Sequence, residues 1–263
     1  MQPETATQAS PWRTSHEEVF SCATGLDATF WETEIGYFRN RELQYYSDAN
    51  LRVADGLLTI EGRRQSVPNA AHTPGSRALR TSRKTARYTS GAIVSREALC
   101  FVRVEVVARS PAGAGMWPAI WLLHESATQY GEIDIFEAVG KHPDMAFAAV
   151  HFGRSARSRK RIAAHRHIAG LAGQWHTHTL QWTPSGIAIA IDNQPLLSMN
   201  LDAAAGSKHD PLRQPMRLRI NLALGGTWGG PIDDMALPAR LDVASIKIWR
   251  WCPNAGNGPP TGN

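Results

Sequence analysis

The heptapeptide Gly131-Glu132-Ile133-Asp134-Ile135-Phe136-Glu137 places three carboxylates, two and then three residues apart, inside an apolar stretch. Grouped carboxylates can do acid, base or nucleophilic work when their surroundings push their pKa values apart. On a strand, Glu132 and Asp134 point to one face while Ile133 and Ile135 point to the other. Strict alternation would then send Glu137 to the isoleucine side, where an ionised carboxylate is costly to bury. A β-bulge at Ile135-Phe136 removes the conflict, because one extra residue flips the register and returns Glu137 to the face of Glu132 and Asp134. The two glutamates then stand about 13 Å apart along the backbone. A concave sheet and inward-leaning side chains can bring their carboxyl groups to the roughly 5 Å used by retaining glycosidases. With Asp134 between them the row must hold at least one proton near neutral pH. Two other readings fit the heptapeptide alone: a strand whose acids face water, and a calcium site built from the acids.

The elements that would position this row read as strands. Phe101-Val102-Arg103-Val104-Glu105-Val106 alternates with period two, and Gly186-Ile187-Ala188-Ile189-Ala190-Ile191 is a β-branched run between turn residues. Asp55-Gly56 separates Leu51-Arg52-Val53 from Leu57-Leu58-Thr59-Ile60 and suits a tight hairpin, since both positions tolerate positive φ. Thr183-Pro184-Ser185-Gly186 and Asp192-Asn193-Gln194-Pro195 punctuate the following strands, and further runs end in Met216 to Leu224 and Leu241 to Trp251. Roughly a dozen strands at hairpin spacing, with no 12-residue amphipathic helix, predict a β-sandwich or barrel. Residues 1–15 and 253–263 read as flexible ends around a single domain at 16–252.

The 263 residues, 43% apolar and 19% charged with 9 Trp, fit a globular chain and not a disordered one. No apolar run reaches 18 residues, so no membrane span is expected, and the first ten residues lack the pattern of a secretory signal. The net charge of +5 is unevenly spread. Residues 62–87 and 154–167 hold thirteen Lys and Arg and no acid, which leaves 15 Lys and Arg against 23 Asp and Glu elsewhere, or −8. Both segments read as basic loops. Cys22 and Cys252 lie in terminal runs that could be neighbours, so a disulfide and separate thiols are both open.

The motif Gly131 to Glu137 resembles the catalytic strand of glycoside hydrolase family 16, in the bulged form of its laminarinase-like branch. Other stretches match in order: Asn40-Arg41-Glu42-Leu43-Gln44-Tyr45-Tyr46, Tyr88-Thr89-Ser90-Gly91, Trp117-Pro118-Ala119-Ile120-Trp121, and Asn221-Leu222-Ala223-Leu224-Gly225-Gly226-Thr227-Trp228. The resemblance implies an all-β jelly-roll sandwich with a cleft on its concave sheet, with Glu132 as nucleophile, Glu137 as acid/base and Asp134 tuning them. It makes His151 the histidine on the adjacent strand and Asn40 a sugar contact. Trp117, Trp121 and Trp228 become candidate sugar platforms, with Tyr130 in place of the tryptophan that relatives carry before the motif. Ala92 departs from an arginine common in relatives. A structural calcium with Asp242 as one ligand is also implied, although the usual N-terminal partner segment is here the unlike Cys22 to Leu26. Catalysis itself is expected to need no cofactor.

The expected function is retaining, endo-acting hydrolysis of a β-linked polysaccharide, either laminarin-type β-1,3-glucan or an acidic exopolysaccharide drawn by the basic segments. A lectin-like binding module and a transglycosylase remain alternatives. A nucleic-acid partner is disfavoured, because the acidic row would repel phosphate. A monomer, secreted or periplasmic, is expected from the polymeric substrate.

Overall fold

The computed structural model describes residues 10–20, 25–126, 128–201 and 210–253. In chain order the strands are β1 (Trp12–Val19), β2 (Trp31–Thr33), β3 (Gln44–Tyr46), β4 (Leu51–Ala54), β5 (Leu57–Gly62), β6 (Val67–Pro68), β7 (Thr85–Ala86), β8 (Tyr88–Ser90), β9 (Ala92–Ser95), β10 (Val102–Arg109), β11 (Met116–Leu123), β12 (Tyr130–Glu137), β13 (Met145–Gly153), β14 (Lys160–His167), β15 (Trp175–Thr183), β16 (Gly186–Ile191), β17 (Gln194–Asn200), β18 (Arg217–Leu224) and β19 (Ala239–Trp251). One sheet runs β17-β16-β15-β10-β19-β5-β4 with β1 along β19, and the other runs β14-β13-β12-β11-β18-β9-β2. Among the described residues the α-helical turns, α1 (Leu79–Ser82) and α2 (Gly226–Gly229), are four residues each. The chain is thus a jelly-roll β-sandwich, as the strand pattern and the resemblance both imply.

Alternation makes the sandwich. Along β10, Val102, Val104, Val106 and Ala108 are buried and the residues between them are not. They meet Ile133, Ile135, Phe136, Ile120 and Leu122 of the other sheet in one continuous core. The turn signals act as read: Asp55 (φ 56°) and Gly56 (φ 79°) close Ala54 onto Leu57, and Asp192 (φ 50°) and Asn193 (φ 61°) close Ile191 onto Gln194.

Two segments differ from expectation. The first strand begins at Trp12, inside the segment 1–15 expected to be loose, because its register with β19 (Trp12 opposite Trp251) gives those backbone groups partners. Residues 160–167, expected to be loop, form β14, the edge strand of the seven-stranded sheet. Their basic composition hides the strand: an edge has little to bury, and Lys and Arg there deter pairing with other chains. The 62–87 segment is irregular apart from β6, β7 and α1, and is tied together by the Asn69 carboxamide, which donates to the Arg80 and Arg83 carbonyls at 2.9 Å. Cys22 lies outside the described residues, and Cys252 and Cys100 are free, half-buried thiols.

Candidate functional site

A cleft of about 800 Å³ crosses the concave face of the seven-stranded sheet, lined by Asn40, Trp117, Trp121, Tyr130, Glu132, Asp134 and Glu137 among others. The bulge falls where the alternation requires it. Ile120 pairs with Phe136 and the next residue, Trp121, with Asp134, so Ile135 is the extra residue. On the other side Asp134 faces Ala149 and Glu137 faces Phe147. Ile133, Ile135 and Phe136 are consequently all in the core, and the three acids share the cleft face.

Each acid has a distinct neighbour. Glu137 accepts from the Trp117 indole Nε1 at 2.9 Å, and Glu132 accepts from the Tyr130 hydroxyl at 2.5 Å. Burial and then the charge of Glu132 push the Asp134 carboxyl well above its ordinary range, against the pull of Arg161 and Arg159. Burial, followed by the Asp134 charge, likewise pushes Glu137 well up, although the Trp117 hydrogen bond opposes it. Both shifts favour a proton held within the row.

His151 stands opposite Glu132 on β13 and packs behind the acids, its Nε2 3.3 Å from Asp134 Oδ2 and 3.7 Å from Glu132 Oε1. Arg159 fixes its tautomer. Guanidinium Nε can only donate, and it lies 3.2 Å from His151 Nδ1, so Nδ1 accepts and the ring proton sits on Nε2, facing the acids. Burial is the main reason that the His151 pKa is lowered, with the Glu132 charge opposing and Arg159 and Arg161 reinforcing it. The ligand atoms of Glu132, Asp134 and His151 lie within 4.8 Å of one another. The tautomer set by Arg159 turns an N–H into that space where a cation would need a lone pair.

The aromatic residues are brought to the cleft, but mostly in supporting roles. Trp121 is buried, donates to Asn221 Oδ1 at 2.8 Å, and has the Arg39 and Arg219 guanidinium groups 5.0 and 5.2 Å from its ring centroid. Trp121 lines the cleft with these two guanidinium groups over its ring. Trp117 holds Glu137, and Trp228 on α2 sits edge-to-face against Trp117 and Phe147. The Tyr130 ring carries the Arg159 guanidinium at 5.3 Å, so its hydroxyl serves Glu132 while one side of the ring is occupied. Asn40, exposed at the cleft, donates to Glu42 at 3.2 Å.

Sequence reasoning missed the polar frame beneath these groups. Buried Glu42 accepts from Asn40, from Gln44 at 2.7 Å and from Tyr46 at 3.2 Å; the Tyr46 hydroxyl in turn accepts from Asn221 at 3.0 Å. Burial raises the Glu42 pKa against these donors and Arg39. Arg39 pairs with Glu34, Arg219 with Glu125, and Arg217 with Glu32, closing one end of the cleft with ion pairs. Their only trace in the sequence was charge inside otherwise apolar strands. From the 62–87 segment, Arg83 donates to the Glu42 carbonyl at 2.9 Å and Arg80 lies over Phe38, so this segment forms part of the cleft wall.

Asp242 does not fit a calcium ligand. Its Oδ1 accepts from Thr59 at 2.9 Å and its Oδ2 from Arg109 at 2.8 and 3.3 Å. A guanidinium in that position already neutralises the carboxylate and repels a second cation.

The sequence profile of glycosyl hydrolases family 16 matches residues 47–237. A β-glucanase of Rhodothermus marinus is 31% identical over 273 residues, covering 93% of this chain and 87% of its own. The crystallographic laminarinase of Rhodothermus marinus superposes with a TM-score of 0.75 at 30% identity, covering 91% of this chain and 98% of that one. A chain solved in work on endo-acting O-glycanases, with which prominent members of the human gut microbiota initiate mucin breakdown, superposes with a TM-score of 0.85 at 27% identity, covering 95% and 94%.

Proposed function

This chain belongs to glycosyl hydrolases family 16, and we propose that it is an endo-acting glycanase that cleaves a β-linked polysaccharide with retention of anomeric configuration. The observation that carries the reading is the bulged row, with Glu132 and Glu137 on one cleft face in different settings. Glu132, hydrogen-bonded by Tyr130, attacks the anomeric carbon while Glu137 gives its proton to the departing glycosidic oxygen. The C1–O bond breaks, an ester to Glu132 forms, and the cleaved chain leaves with its new hydroxyl. Water then attacks C1, Glu137 takes its proton, and the ester bond to Glu132 breaks. The raised pKa of Glu137 suits the acid role in the first step. Asp134 and His151 lie between and behind them and share proton with the row. No step calls for a metal.

The substrate of this reading is a β-1,3- or mixed β-1,3-1,4-glucan, or a polymer carrying acidic substituents. The named glucanase relatives support the backbone. In this reading the protein acts outside the cytoplasm, where a polymer too large for uptake is met, and as a monomer. No helix among the described residues is long and apolar enough to cross a membrane. A lectin-like role is the weaker reading, because a binder has no use for three coupled acids in a row.

The test is product release from soluble β-1,3-glucan, followed by proton NMR of the first-formed reducing ends. Wild type should release β-anomers first, and Glu132→Gln and Glu137→Gln should each lose at least about a thousandfold in rate. Initial release of α-anomers, or unchanged rates in both variants, would overturn the assignment.

A further inference from the structure

The arginines of the cleft and its rim fall into two groups. Arg39, Arg217 and Arg219 each pair with a glutamate, and Arg80, beside them, lies over the Phe38 ring. Beyond Glu132, in the direction of β14, Arg159 and Arg161 meet no carboxylate among the described residues. Arg159 lines the cleft, gives Nε to His151 and Nη1 to the Ala156 carbonyl, and among the described residues its second amino group has no hydrogen-bond acceptor. Arg161 stands opposite His151, which stands opposite Glu132, so all three share the cleft face. Its side chain is exposed.

Protection of a sheet edge does not account for this placement. Edge protection needs charge anywhere along the strand, and Arg166 already provides it while donating to the Pro195 carbonyl of the other sheet. Arg159 and Arg161 instead project their charge onto the catalytic row. Both lower the proton affinity of Asp134, and Arg161 lowers that of Glu137. Two unneutralised guanidinium groups beside a polysaccharide cleft are the chemistry that recognises sulfate or carboxylate by charge-assisted, forked hydrogen bonds.

We propose that Arg159 and Arg161 form an anion subsite on the β14 side of the bond cleaved at Glu132, which takes a sulfate or carboxylate substituent of the glycan chain. The proposal rests on the glycanase reading above and specifies its substrate: a β-glycan with an acidic group close to the scissile linkage.

The test compares three forms of one backbone, namely soluble β-1,3-glucan, its sulfated derivative and its carboxymethylated derivative, each lightly substituted. Initial kcat/KM is measured at low and high salt for wild type, Arg159→Gln, Arg161→Gln and Arg166→Gln. Wild type should prefer at least one acidic form by about tenfold at low salt, and the form preferred distinguishes sulfate from carboxylate. Arg159→Gln and Arg161→Gln should bring the acidic-to-neutral ratio close to one, whereas Arg166→Gln, which removes the same charge outside the cleft, should keep it. Equal rates on all three forms in wild type, or an equal loss of preference in Arg166→Gln, would overturn the subsite. Calorimetry with Glu137→Gln and oligosaccharides of the same three forms separates the two claims. Acidic oligosaccharides bound more tightly, and less so after Arg161→Gln, with no form cleaved by wild type, would keep the subsite and sink the glycanase. Cleavage and binding indifferent to substituents would do the reverse.

Discussion

The Trp117 indole donates to Glu137 across the β11–β12 pair, Nε1 to Oε1, at 2.9 Å. The donor lowers the proton affinity of a carboxyl that burial and Asp134 raise. Trp117 therefore holds the Glu137 proton affinity below the level that burial and Asp134 would give it.

Removing that donor gives the first prediction. In Trp117→Phe the Glu137 pKa rises further, so the alkaline limb of kcat/KM against pH should move up by about one unit. The limb reports an essential acid that must be protonated in the first step. A pH–rate profile on β-1,3-glucan checks it, and a limb that stays put or moves down would contradict the role of the indole.

Asp134 makes a stability prediction with a definite sign. Its folded pKa is raised above the ordinary 3.8 by burial and Glu132, so the folded state holds the proton more tightly than the unfolded one. Stability present at low pH is then lost as pH rises through the folded pKa. Asp134→Asn removes that loss and retains an acceptor for His151. It should be more stable than wild type at pH 7 by about 1 kcal/mol, with the gap closing near pH 4 and activity reduced. Urea unfolding at the two pH values decides it; wild type being the more stable at pH 7 would refute the claim.

His178 carries the opposite sign. It is buried against Phe136 at 4.1 Å between ring centroids, its Nδ1 has no partner, and burial, with a smaller push from His176 and against Asp192, lowers its pKa to about 3. Stability is fully present above the unfolded value of 6.5 and is lost as pH falls from there toward 3. Between pH 7 and pH 5 wild type should lose about 2 kcal/mol that His178→Leu does not. Parallel loss in both proteins would assign the acid sensitivity to other groups.

Gly131, the second residue of β12, has a steric reason to be glycine. A Cβ there would lie 2.7 Å from the Pro211 carbonyl oxygen and 2.9 Å from the Met216 methyl. Gly131→Ala must shift β12 or the Pro211 segment, at about 1–3 kcal/mol. A displacement of the Glu132 carboxylate should cut kcat by about a hundredfold while leaving KM within a few-fold. Unfolding midpoints and Michaelis kinetics measure both, and a variant with wild-type kcat would show that the strand tolerates the methyl group.

Much of this molecule follows from local pattern. Period-two alternation in a run such as Val102 to Val106 fixes a strand and its buried face, and Asp55-Gly56 fixes a hairpin, because the physics acts between residues a few positions apart. The same holds for the bulge: three acids and three large apolar residues can be sorted to opposite faces only if Ile135 is extra. The basic segment at 160–167 escaped this logic because an edge strand needs no apolar alternation, so composition pointed to loop where pairing made β14.

The identity of partners was decided by tertiary structure alone. Arg219 meets Glu125 from 94 positions away, and Asp242 meets Thr59 from 183, turning an expected calcium ligand into a neutralised carboxylate. Trp121 is read from its motif as a sugar platform, yet two guanidinium groups from distant loops and strands lie over it. Arg159 and Arg161 are distinguished from Arg39, Arg217 and Arg219 only by forming no ion pair among the described residues. The sequence by itself determined which face each carboxylate takes, because side-chain direction is set by neighbours along the chain. Only the folded sandwich decided which charges are spent on one another and which are left for a substrate, because ion pairing depends on distance in space, which chain order does not encode.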